Sequence, residues 1–386
     1  MKTKTSNETT VANGISLPST LLCTAALALA CVPAGAKQHH DNDETHYRAI
    51  NLVSDIAGVG QVQDTNLVNG WGISYHDTFP FWVSDNGTGV ATLYAVTNDA
   101  SGAPHASIVP LVISIPGNGS VSGQVANNST DFNGDIFLFV SEDGTVSGWR
   151  PDLGPAAETL AMRETAIYKG VTLATVGANT VLLAANFHEG TIDVYQSGSR
   201  TPTQFADQTA PAGYAPFNVQ NLNGVIFVTF AKQDASAKDD VPGSGRGLID
   251  VFDVNTGAFH RFAAGSRAGG NISQMNSPWG LAVAPSTFGE HANQLLVGNF
   301  GSGTIMTFDA DGHFKGLLER DEDCPVTIDG LWGLTFGVEG GVSGVSTDLY
   351  FSAGPNDEQH GLFGVIQAVS GDDDRDGHGH RHGRNK

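Results

Sequence analysis

The sequence predicts an all-β protein, a six-bladed β-propeller of four-stranded blades, and three observations carry that prediction. Apolar runs of strand length alternate with polar, Gly-containing turns. The same grammar returns about every 40 to 60 residues, the spacing of propeller blades. The 386 residues are 40% hydrophobic, enough for a sizeable core, and their 49 glycines and 16 prolines suit many short strands better than long helices.

At the start of the chain, Lys2 and Lys4 precede the apolar run LPSTLLCTAALALACVPAGA, which reads as an export signal over residues 1–36, cut between Ala36 and Lys37. A rival cut at Cys31 would make a lipoprotein. The expected location is therefore secreted, periplasmic or cell-envelope. Cys23 and Cys31 lie inside the signal, so the mature chain keeps Cys324 alone and has no internal disulfide. No later apolar run is long enough to span a bilayer.

Residues 37–48 form a polar His/Asp-rich linker, and 49–370 are expected to be the propeller. Six hairpins define it, in the segments beginning FWVSDNGTG, IFLFVSEDGT, LLAANFHEGT, IFVTFAK, LLVGNFGSGT and LYFSAGPNDE. Upstream of each lies an inner strand: NGWGIS, VSGQVANN, YKGVTLATVG, APFNVQNL, SPWGLAVAP and GLWGLTFG. Downstream of five lies an outer strand: HASIVPLVI, ETAIY, PTQFAD, FHRFAAG and FKGLLE. The last hairpin has none, because the chain turns to GDDDRDGHGHRHGRNK, a solvated tail over 371–386. AINLVSD, ahead of the first blade, supplies the missing strand and closes the ring, which removes an exposed edge.

Trp71, Trp279 and Trp332 open the inner strands of blades one, five and six and are read as packing residues, each followed by a glycine where blades crowd the channel. In a four-stranded meander, the loop entering the inner strand and the loop joining the second and third strands share one face. Asn69, Asp85, Asn86, Asn186, Asn218, Asn276, Asn299 and Asp329 fall there and make up the expected ligand-binding face, with Glu142, Asp143, His188 and Glu189 beside them. Their oxygens suit Ca²⁺ or another divalent cation, although Asn and Asp are also ordinary turn residues. KQDASAKDDVPGSGRG, from Lys232 to Gly247, is the longest insertion and is read as a loop or lid at this mouth.

A net charge of -21 argues against nucleic-acid binding. GxSxG, Walker A, strand-borne GxGxxG and CxxCH patterns are all missing from the sequence. The His-rich tails have loose metal-binding composition without the spacing of a structural zinc site.

At NLVSD, LVNGWGI, FWVSDNGTG, SEDGTVSGW, ANF with GTIDVY, and SPWGLA, the chain resembles an uncharacterised family of secreted bacterial proteins taken to be NHL-like six-bladed propellers. That resemblance implies a fold and no activity. Asn69-Gly70 and Asp329-Gly330 are more distantly similar to the Asn-Gly and Asp-Gly pairs of gluconolactonase-type propellers, whose channels hold a divalent cation through Glu, Asn and Asp.

Two functions are therefore expected from different classes. The first is a monomeric, exported binding scaffold whose channel-mouth loops take an extracellular protein, glycan or small molecule. The alternative is a divalent-metal-dependent lactone or ester hydrolase with Asn69, Asn276 and Asp329 as ligands and Asp85 or His188 as base.

Overall fold

Short strands separated by turns pair mainly antiparallel with their chain neighbours, except in blade six, where the first described strand pairs with the last and carries a short parallel addition at Val62–Gln63. Six such sheets are arranged as the blades of a propeller. The structure, a computed structural model, describes residues 45–370 except 119 and 322–323, with nothing said of the Asp321 side chain. All of these belong to one compact unit, Gln38–Lys386; the expected export signal and the 371–386 tail lie outside the described residues.

The inner strands are Gly70–Ser74, Val121–Ala126, Tyr168–Val176, Tyr214–Leu222, Pro278–Val283 and Leu331–Phe336. Blade six takes its outer strand from Thr45–Ser54, which pairs antiparallel with Leu362–Ser370 and joins the two ends of the described chain. This is the ring closure expected from AINLVSD. In blade two the outer strand is Glu158–Met162 and not the expected ETAIY. Arg163–Ala166 instead forms a tight turn, with the Ala166 N–H donating to the Arg163 carbonyl, so ETAIY delivers the chain into blade three.

Second strands such as Phe81–Asp85, Phe137–Ser141, Leu295–Asn299 and Leu349–Ala353 are buried along their whole length, because both faces of a blade are covered by neighbouring blades. The core is correspondingly divided. Six apolar clusters occupy the six blade interfaces: Leu183 and Val228 lie between blades three and four, and Phe351 and Leu296 between blades five and six. Each buried Leu or Phe contributes about 2 kcal/mol of apolar burial.

One irregularity repeats in every blade. The register of inner against second strand shifts at Trp71-Gly72, Ser122-Gly123, Lys169, Phe217, Trp279-Gly280 and Trp332-Gly333. A bulge there bends the strand and turns its extra side chain toward the axis. The residue after it faces the next blade. A Cβ on Gly72 would lie 2.7 Å from Gln124 N, one on Gly123 2.8 Å from Gly170 Cα, and one on Gly333 2.8 Å from the Trp71 carbonyl oxygen. Blade four carries Asn218 where the other five carry glycine.

Candidate functional site at the channel mouth

The six bulged positions form a ring around the axis: Trp71, Ser122, Lys169, Phe217, Trp279 and Trp332. Four of them are aromatic and pack on one another. The Trp71 and Trp332 rings are 3.9 Å apart and those of Trp279 and Trp332 5.8 Å apart, while Phe300 stacks on Trp332 at 3.9 Å. With Phe187 and Phe217 these rings make a buried plug, so the tryptophans do serve packing, and they pack across the axis. Beyond the plug a cavity of about 310 Å³ opens toward the opposite face, lined by Gln124, Thr172, Asn221 and Thr335 among others and by no charged residue.

The mouth side is charged. Lys169 is only 2% exposed, yet it occupies a ring position that four of the other five blades fill with Trp or Phe. Its Nζ donates to Glu142 Oε1 at 2.5 Å and to Asp239 Oδ1 at 3.3 Å, and lies 5.1 Å from the Trp71 ring centroid. Burial alone would lower the lysine pKa, but Glu142 and Asp239 outweigh it and hold the pKa above its usual value. Lys169 is therefore a fixed ammonium and not a free-amine nucleophile.

A hydrogen-bonded row leads from it around the ring. Asn86 Nδ2 donates to Glu142 Oε2 (3.3 Å), and Asn69 Nδ2 donates to Asn86 Oδ1 (3.3 Å) and to Glu358 Oε2 (2.5 Å). Trp332 Nε1 donates to Asn69 Oδ1 at 2.9 Å, which ties the row to the plug. Burial raises the pKa of Glu358, with the Asn69 bond and Lys169 opposing the shift and Glu142 and Asp239 adding to it. Burial likewise raises that of Asp240.

The backbone that presents these groups is locally strained. Asn356, Asp357 and Glu358 are three consecutive non-glycine residues with positive φ (57°, 52° and 64°), a left-handed turn that carries Glu358 to the mouth. Asn69 and Ser277 adopt the same left-handed step two residues before Trp71 and Trp279 (φ 51° and 50°). The blade-four insertion reaches the same place. Asp239 belongs to it, His188 Nδ1 donates to its Ala237 carbonyl (3.2 Å), and its Gln233 Nε2 donates to the Phe187 carbonyl (2.5 Å).

Of the residues expected on this face, Asn69, Asn86 and His188 stand in or beside the cluster. Asp85 is fully buried within its blade, where desolvation holds its pKa well above the usual range and Asp64 and Thr92 are its electrostatic neighbours. Asn186 turns inward to Glu189 and Asp193, and Asn299 accepts from the Asn276 N–H and donates to Gln274 O and Thr304 Oγ1. Asn218 Nδ2 donates to the Trp279 carbonyl between blades four and five. The three residues named for a cation each commit an oxygen to a protein donor: Asn69 Oδ1 to Trp332, Asn276 Oδ1 to the Gly243 N–H, and Asp329 Oδ2 to the Asn356 N–H at 2.8 Å.

Among the described residues, Asp309, Asp311 and His313 are the group of acidic and His side chains whose ligand atoms lie within 4.8 Å of one another. They sit on the loop joining the third and outer strands of blade five, on the face away from the mouth.

Sequence reasoning passed over Lys169 and Glu358. Lys169 had a signal: in a six-way alignment of the inner strands it is the one charge in a column of Trp, Phe and Ser. Glu358 had none, because its position depends on the left-handed turn.

No family model matches the chain. A relative from Acanthamoeba polyphaga mimivirus, "Uncharacterized protein L690", is 28% identical over 324 residues, covering 78% of this chain and 81% of its own length. A second protein of that virus, R648, is 26% identical over 345 residues, covering 83% of this chain and 80% of its own. These relatives are viral and lend no support to a secreted bacterial origin. Among solved structures, an auxiliary nutrient binding protein from Bacteroides thetaiotaomicron superimposes with a TM-score of 0.52 at 11% identity, over 84% of this chain and 77% of that one. At that identity the likeness concerns the fold alone.

Proposed function

We propose that this chain is an exported binding scaffold, an NHL-like propeller whose ligand docks at the plugged mouth, under the blade-four insertion, against Glu142, Glu358 and Lys169. The observation that carries this reading is Lys169. A buried ammonium is costly to desolvate, and four of the six equivalent positions close the axis with apolar rings instead. Retaining a charge there, beside three carboxylates and a strained turn, is the signature of a site rather than of a core. The plug closes the axis beneath these groups with buried aromatic rings, so a ligand at the mouth would sit against them at the surface.

The test is a thermal-shift screen of the full chain against amino acids, amines, sugars, organic acids and divalent cations including Ca²⁺. A ligand of the mouth raises the unfolding temperature in proportion to the logarithm of its concentration. That rise is expected to vanish in Lys169→Met. A ligand whose effect survives that change would place binding elsewhere.

A further inference from the structure

The two carboxylates on Lys169 are not equivalent. Glu142 is 14% exposed, comes from the short turn of blade two, and is held from its other oxygen by Asn86. Asp239 is 59% exposed, arrives from the insertion, and makes the longer bond to the ammonium, 3.3 Å against 2.5 Å. The loop that presents Asp239 is organised within itself. Asp234 Oδ1 accepts the N–H groups of Ser236, Lys238 and Asp239, and the Asp234 N–H donates to the Asp239 carbonyl at 2.8 Å. The turn therefore holds its shape without the Lys169 contact, and the Asp239 side chain is a carboxylate delivered from outside onto a buried cation.

We propose that Asp239 occupies the seat of a ligand carboxylate, and that the chain binds a small carboxylate-bearing molecule by exchanging it for Asp239 on Lys169. This rests on the reading of the mouth as a binding site and names the ligand's anchoring group. Charge decides between ligand classes. Replacing one carboxylate by another leaves the charge of the mouth unchanged, so the ammonium keeps its compensation throughout. An incoming cation could not take Asp239's place on the ammonium, because Lys169 would then lose that carboxylate and face a second positive charge. Asn86 holds the other oxygen of Glu142, so that carboxylate stays in place during the exchange, and the Trp71 and Phe187 rings lie 5.1 and 5.9 Å from Nζ.

The experiment measures acetate and succinate binding to the full chain by titration calorimetry and by tryptophan fluorescence, since Trp71 adjoins the ammonium. An intramolecular competitor weakens the apparent affinity of the ligand it mimics. Asp239→Asn is therefore expected to bind the probes at least about tenfold more tightly than the unmodified chain. Adding Lys169→Met to Asp239→Asn is expected to abolish that gain. Equal affinity in the presence and absence of the Asp239 charge overturns the proposal, as does a gain that survives loss of Lys169. Should the double variant fail to fold, the comparison of Asp239→Asn with the unmodified chain decides alone. If a ligand from the broader screen binds the mouth while neither acid binds Asp239→Asn, this inference falls and the binding-scaffold reading stands. If nothing binds in either experiment, both fall.

Discussion

Asn218 Nδ2 donates a 2.8 Å hydrogen bond to the carbonyl of Trp279, joining the inner strands of blades four and five at the ring position where the other five blades carry glycine. Elsewhere in the ring backbone approaches backbone directly, and here one amide side chain fills the gap and satisfies the carbonyl. Its Oδ1 also accepts the Val219 N–H (2.8 Å). Asn218→Ala leaves both groups buried without a partner, so a loss of about 1–3 kcal/mol is expected in urea unfolding. A change inside the error of that measurement would remove the bridge from the account of ring closure.

Gly72 tests the same ring from the other side. A Cβ there would meet the Gln124 N and the Ser122 carbonyl oxygen of the next blade at 2.7 and 2.8 Å, both backbone atoms that cannot swing away. Gly72→Ala should cost about 1–3 kcal/mol through overpacking. Gly177→Ala, at a turn with open space around it but φ +62°, isolates backbone strain without crowding and is expected to cost about 1 kcal/mol. A larger loss at Gly177 than at Gly72 would contradict the crowding argument.

These two positions show how much the sequence discloses. Blade count and inner strands were legible because each is written six times, Trp-Gly marks the seam in three of the blades, and ring closure followed from the one hairpin without an outer strand and the AINLVSD strand that supplies it. ETAIY misled because a strand-like composition does not reveal the Arg163–Ala166 turn, which is set by backbone bonds. The site was half legible. Asn69 and Asn86 could be placed by topology, whereas Asp85, Asn186 and Asn299 share their loop ends but turn inward, a choice made by partners such as Asp193 and Gln274 that only tertiary contact supplies.

Lys169 and Glu142 predict an asymmetry. Lys169→Met places an unbranched apolar chain among Trp71, Phe187 and their neighbours. It also leaves Glu142 and Asp239 with access to solvent, so stability should hold within about 1 kcal/mol or rise. Glu142→Ala removes the closer partner from a charge that cannot reach water, and should cost about 3–5 kcal/mol. Melting temperatures of the two variants decide the matter. Lys169→Met proving the more damaging would make the lysine a structural element.

Asp250 gives a pH dependence with a definite sign. Burial raises its pKa from 3.8 to about 7, with Arg261 opposing the shift through its Nε–H bond and charge, and Asp207 adding to it. In the interval between those values the folded chain keeps a proton that the unfolded chain has released. The contribution to stability is therefore fully present below pH 3.8 and is lost as pH rises through about 7. Asp250→Asn fixes the neutral form, so its unfolding free energy should fall less than that of the unmodified chain between pH 5 and pH 8, at about equal ionic strength. Parallel curves for the two proteins would show that Asp250 stays ionised on Arg261 throughout, and that the ion pair outweighs the desolvation of its fully buried carboxylate.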